Sequence, residues 1–109
     1  MKHLSVRDLA AHCAARPSTL LLDVREPWEA AHAALRLPGV ETRNVPLAAL
    51  PAALATLDPA RPVVCVCHHG VRSARAVAFL EQHGVASAWN LDGGTEAWST
   101  QVDPSVPRY

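Results

Sequence analysis

Residues 63–73 read Val63-Val64-Cys65-Val66-Cys67-His68-His69-Gly70-Val71-Arg72-Ser73, and this stretch decides the fold class. The run Val63–Cys67 follows the break Arg61-Pro62 and is apolar on both alternating faces, as a central parallel strand buried on two sides must be. A loop containing Gly70 comes next. Arg72–His83 then carries Ala76, Phe79 and Leu80 at helical core spacing and stops at Gly84, which suits a C-terminal cap. Strand, loop and helix in that order form half of a βαβ unit, which belongs to a sheet with helical cover.

Outward from this unit the alternation continues. Towards the N-terminus, Thr19–Val24 is a short apolar strand ending in Asp23-Val24-Arg25, preceded by the breaker Arg16-Pro17-Ser18. Pro27 suits the first turn of a short helix to about Ala34, and Leu37-Pro38-Gly39 is a turn. Val40–Val45 is polar enough for an edge strand, and Leu47–Leu57 reads as a third helix. Lys2–Leu4 suits a short edge strand, and Ser5 with Asp8 resembles a capping box opening a helix to about Ala15. On the other side, Ala86–Leu91 is the last strand and Asp92-Gly93-Gly94 a tight loop. Thr95–Gln101 is the last helix, before a proline-containing tail over 103–109. The pattern predicts an α/β fold: a parallel sheet with helices on both faces. At 109 residues, with no repeat and no long linker, one domain over 1–109 is expected, its core at about 16–102.

Composition excludes several partners. Half the residues are hydrophobic, so a folded chain is expected. Ten basic and ten acidic residues cancel, with no Lys/Arg cluster for nucleic acid or an anionic membrane. Arg7 and Asp8 interrupt the start before a signal peptide could form, and Leu20–Leu22 and Val63–Cys67 are too short to span a bilayer. A cytoplasmic location is expected, where Cys13, Cys65 and Cys67 read as buried or reactive thiols rather than disulfides.

Cys67 stands at the carboxyl end of the central strand, where ligands collect in such sheets. The loop His68-His69-Gly70-Val71-Arg72-Ser73 leads into a helix N-terminus, so several backbone N–H groups can turn inward as an anion nest. Gly70 permits the tight turn, and Arg72 offers a permanent charge to an anionic substrate, with no acidic residue between Cys67 and Arg72. This arrangement suits a nucleophilic thiolate that attacks an anionic sulfur donor and then holds a sulfane sulfur. On position alone, a small buried hydrophobe is an equally good reading of Cys67.

Four motifs tip that balance. Asp23-Val24-Arg25-Glu26, Leu37-Pro38-Gly39 with Asn44-Val45-Pro46, Cys67 to Ser73, and Asn90-Leu91-Asp92-Gly93-Gly94 with Ala97-Trp98 stand in one order. In that order the chain resembles the single-domain rhodanese family over nearly its whole length. The tail Val102–Tyr109 also resembles the ending of bacterial rhodanese domains, free-standing or fused behind ubiquitin-activating-like adenylyltransferases. The resemblance implies a rhodanese-like five-stranded parallel sheet and a persulfide on Cys67. The activity implied is sulfurtransfer, moving sulfane sulfur from thiosulfate or a persulfide donor to a thiol or sulfur-carrier acceptor, or to cyanide in an assay. No cofactor and no metal ligands are expected. One departure is Leu35-Arg36, where the family usually has Gly-His; any role of that histidine has no bearer here.

The same residues admit rival readings. Phosphatases and arsenate reductases of this fold resemble C-x5-R, but Arg72 completes C-x4-R and Ser73 holds the C-x5 position, a loop suited to one sulfur atom. A non-catalytic interaction module would usually lack the cysteine. Asp23 and Arg25 either support the cysteine loop or form a plain ion pair; His68 and His69 either line the cleft or lie exposed. Cys65 with Cys67 and the histidines lacks C-x2-C spacing, so Cys65, like Cys13, reads as core. Trp28, Trp89 and Trp98 read as packing residues, with Trp28 near enough to a strand end to reach the rim.

Overall fold

In the computed structural model, which describes residues 1–109, five strands lie in the order β1-β5-β4-β2-β3, every pairing parallel. They are β1 Lys2–Leu4, β2 Leu20–Asp23, β3 Glu41–Asn44, β4 Val63–Val66 and β5 Ala88–Leu91. The alternation of β2 and β4 sorts their side chains cleanly. Leu20, Leu22, Val24, Val63, Cys65 and Cys67 point to one face, where they meet Leu50, Ala76, Val77 and Leu80. Leu21, Val64 and Val66 point to the other, against Leu9, Cys13, Leu91 and Trp98. The helices are α1 Leu9–Ala15, α2 Pro27–His32, α3 Leu50–Ala53, α4 Val71–Gln82 and α5 Gly94–Gln101. Cover on both faces makes β4 the buried middle of the sheet. No helix is long and apolar enough to cross a membrane.

Several local expectations need correction. The stretch 47–57 is not one helix: a 3-10 turn Leu47–Ala49, α3, and a second 3-10 turn Leu54–Thr56 divide it. Pro51 has no N–H to give the Leu47 carbonyl, so that turn closes instead through Leu50 N–H. Ser5 forms no cap. Its hydroxyl bonds the Asp8 carboxylate at 3.2 Å, and the chain enters α1 through a 3-10 turn. A helix start of the capping-box kind occurs at α2, where Glu26 N–H donates to Glu29 Oε2 at 2.9 Å. That helix ends at His32 rather than Ala34; Arg25 Nη2 takes the Ala33 carbonyl at 2.9 Å. Nor does the core begin at about 16 or stop at 102, since Leu4, Val6, Leu9 and Cys13 fill one cluster together with Val106. Trp28 is 64% exposed and lies outside the core, its ring edge-on to Tyr109 at 5.9 Å.

Candidate active site around Cys67

The loop after β4 is held from beneath by the loop after β5. The Cys67 carbonyl accepts Thr95 N–H at 2.9 Å, and the His68 carbonyl accepts Glu96 N–H at 3.0 Å. Gly94 makes this contact possible: its φ is +58°, and a Cβ there would strike both carbonyls. Gly70, at φ +98°, turns the chain back, and its carbonyl takes Asn90 Nδ2 at 3.2 Å. Asn90 sits on β5 opposite Cys65, so sheet register delivers it to the loop.

At the centre of this cradle Cys67 is 1% exposed, and its Sγ accepts Gly70 N–H at 3.1 Å and Ser73 N–H at 3.3 Å. Ser73 Oγ stands 3.2 Å from the same sulfur. Its proton goes to Asn90 Oδ1, because Asn90 Nδ2 is already committed as a donor to Gly70 O and, at 3.0 Å, to Asp92 Oδ1. The thiol proton is then left to point at Ser73 Oγ. Beyond Asp92 the chain of contacts reaches the surface at His3, whose Nδ1 lies 2.8 Å from Asp92 Oδ1. Two backbone dipoles, rather than any charged side chain, thus touch the sulfur and would solvate negative charge on it. Cys65 is the opposite case: wholly buried among apolar neighbours, its thiol is pushed up to about 12 by desolvation.

Arg72 is the loop's only Lys or Arg, but it is ion-paired rather than left free to meet an anionic substrate. Its Nη1 and Nη2 donate to the two oxygens of Glu29 at 2.7 and 2.8 Å, a bidentate pair with a nearly buried carboxylate. Tyr109 closes the arrangement from the far end of the chain. Its hydroxyl donates to Glu29 Oε1 at 3.0 Å and accepts from Arg25 Nη1 at 2.9 Å, while its ring stacks on His68 at 3.8 Å. Arg25 is tied to Asp23 by Nε and Nη2, the latter at 2.7 Å from Oδ2. Asp23 and Arg25 therefore touch the cysteine loop only through Tyr109, and His69 is exposed beside a mostly buried His68. Val71 is 65% exposed at the head of α4.

The Arg72 pair, ahead of the Glu26 N–H and the Tyr109 hydroxyl, holds the Glu29 carboxyl at about 2 against an ordinary 4.5. A carboxyl depressed by folding contributes stability above its unfolded value and loses it as pH falls towards its folded one. The difference in thermal midpoint between the native chain and Glu29→Gln is accordingly expected to be full above about pH 5 and to shrink between pH 4.5 and 2. Parallel melting curves for the two proteins over that range check this; a constant difference would show that ionisation of Glu29 is not its source.

Sequence reasoning missed Glu29, Asn90, Tyr109 and the packing role of Gly94. Glu29 carried a signal, standing three residues after Glu26 behind Pro27, and Asn90 and Gly94 stand in a motif that carries the family resemblance. The largest concavity, about 230 Å³, lies between α1 and the 37–40 turn, is lined by Cys13, Pro17 and Leu37, and is remote from this chemistry.

A family model described as rhodanese-like domain matches residues 5–101. Thiosulfate sulfurtransferase GlpE of Stutzerimonas stutzeri is 31% identical over 88 residues, covering 81% of this chain and 77% of that protein. Rhodanese-like/PpiC domain-containing protein 12, chloroplastic, of Arabidopsis thaliana is 37% identical over 93 residues, or 82% of this chain, but the chain spans only 30% of that protein's length. Among solved structures, a rhodanese-like domain protein from Staphylococcus aureus superposes with a TM-score of 0.78 at 30% identity, covering 90% of this chain and 91% of that one.

Proposed function

The chain belongs to the rhodanese-like domain family, and from that premise we propose that it is a sulfurtransferase working through a persulfide on Cys67. The observation that carries this reading is the pair of N–H groups at 3.1 and 3.3 Å from Sγ within a C-x4-R loop. Cys67, its proton lost to solvent, attacks the outer sulfur of thiosulfate. A new S–S bond forms, the old one breaks, and sulfite leaves with the electron pair. An acceptor thiolate, or cyanide, then attacks the terminal sulfur and returns Cys67 as thiolate. Gly70 and Ser73 stabilise the charge at each stage. The phosphatase alternative is disfavoured by loop length, since Arg72 completes C-x4-R and Ser73 holds the C-x5 position. Burial of Cys67 favours a small or slender donor.

Intact mass after thiosulfate treatment tests the reading. One added sulfur per chain is expected, mapping to Cys67 and removed by cyanide, with negligible hydrolysis of p-nitrophenyl phosphate. Sulfur on Cys13 or Cys65, or aryl-phosphate turnover through Cys67, would overturn it.

Arg72, though paired with Glu29, keeps about a third of its side chain exposed, and the N–H groups that Glu29 does not take can meet an incoming anion. Arg72→Ala is expected to lower kcat/KM for thiosulfate by about ten- to a hundredfold, and for a neutral persulfide donor by less. Equal losses with both donors would show that Arg72 supports the loop instead.

A further inference from the structure

We propose that His68, His69 and Glu96 form a binding site for a divalent transition-metal ion of the zinc type at the rim of the Cys67 loop. One ligand atom from each of the three residues lies within 4.8 Å of the other two. Two imidazoles and a carboxylate are the donor set with which zinc builds three-ligand sites that keep a fourth position open. His68 Nε2 and Glu96 Oε2 stand 3.6 Å apart, and bonds of 2.0–2.1 Å to one tetrahedral ion put ligand atoms about 3.4 Å apart. His68 Nε2 is also buried without a hydrogen-bond partner, the Glu96 carboxylate standing just beyond hydrogen-bond reach.

The geometry is held rather than fortuitous. Glu96 N–H bonds the His68 carbonyl at 3.0 Å, so backbone fixes the separation of the two residues. Tyr109 stacks flat on the His68 ring at 3.8 Å. Arg108 Nε takes Glu96 Oε1 at 2.7 Å and leaves Oε2 to face His68; its charge opposes a cation, but its side chain is largely exposed and screened. His69, with its ring centre 3.9 Å from that of His68, is exposed and free to turn its nitrogen onto an ion. The open fourth position would take water or a sulfur anion.

Binding is tested in the Cys67→Ser chain, so that the nucleophile cannot ligate the probe and the result is independent of sulfur transfer. Zinc ion alone, titrated against a chromophoric chelator, is expected to occupy one site per chain. His69→Ala and Glu96→Gln should each weaken that site at least tenfold, and His3→Ala should leave it unchanged. Imidazole resonances of His68 and His69, but not of His12 and His83, should move on zinc addition. Absence of a stoichiometric site, affinity untouched by both substitutions, or resonance shifts at other histidines would overturn the proposal.

Discussion

A Cys67→Ser chain is expected to show no measurable thiosulfate:cyanide transfer, a loss of more than about a thousandfold, at nearly unchanged thermal stability. Serine is slightly smaller and can accept the same two N–H groups, from Gly70 and Ser73, so the cradle has no reason to rearrange. What disappears is the sulfur atom that would form an S–S bond. The remaining thiols offer no substitute: Cys13 and Cys65 are buried, and desolvation raises both. Steady-state assay beside a melting curve checks the claim. Residual transfer above a few per cent in a folded variant would mean that sulfur passes through another group.

Gly94→Ala is expected to destabilise the fold by about 3–5 kcal/mol, lowering the thermal midpoint by about 15 °C or more, and to remove most turnover even where the chain stays folded. The left-handed φ of +58° accounts for only part of this, about 1–2 kcal/mol. The rest comes from a methyl group driven into the carbonyls of Cys67 and His68. Those carbonyls cannot yield without giving up the Thr95 and Glu96 N–H bonds that seat the loop. Gly84 provides the comparison: its φ is +87°, but a Cβ there meets nothing within 4 Å. Gly84→Ala should therefore show the conformational cost alone. Equal midpoints for the two variants would show that close approach to the loop contributes nothing.

The fold was legible where a short-range pattern sufficed. Period-two alternation in Val63–Cys67 placed Cys65 in the core and brought Cys67 to the strand end, and the C-x4-R spacing located the loop. Such patterns report on neighbours a few residues away. They are silent on Arg72, whose partner Glu29 is 43 residues distant, and on Tyr109, whose hydroxyl bonds a side chain 80 residues back. Asn90 escaped for the same reason: its place beside the loop follows from sheet register, which only the assembled strands define. The Leu47–Leu57 stretch misled because hydrophobic spacing outweighed the missing N–H of Pro51, and there the local chemistry won.

The pairing of Lys2 with Trp89 and Leu4 with Leu91 has a bearing on biosynthesis. β1 pairs only with β5 and so has no partner until β5 leaves the ribosome, and contacts so distant in sequence form late. β2, β3 and β4 are complete well before that, with Cys67 already made. Its loop is not, since Asn90, Gly94 and the Thr95 and Glu96 amides all lie in β5 and α5. A nascent chain therefore carries Cys67 for a time as an ordinary loose thiol, open to oxidants and to mispairing. The cradle around Cys67 is assembled only after β5 and α5 have been made, which ties its geometry to completion of the whole sheet.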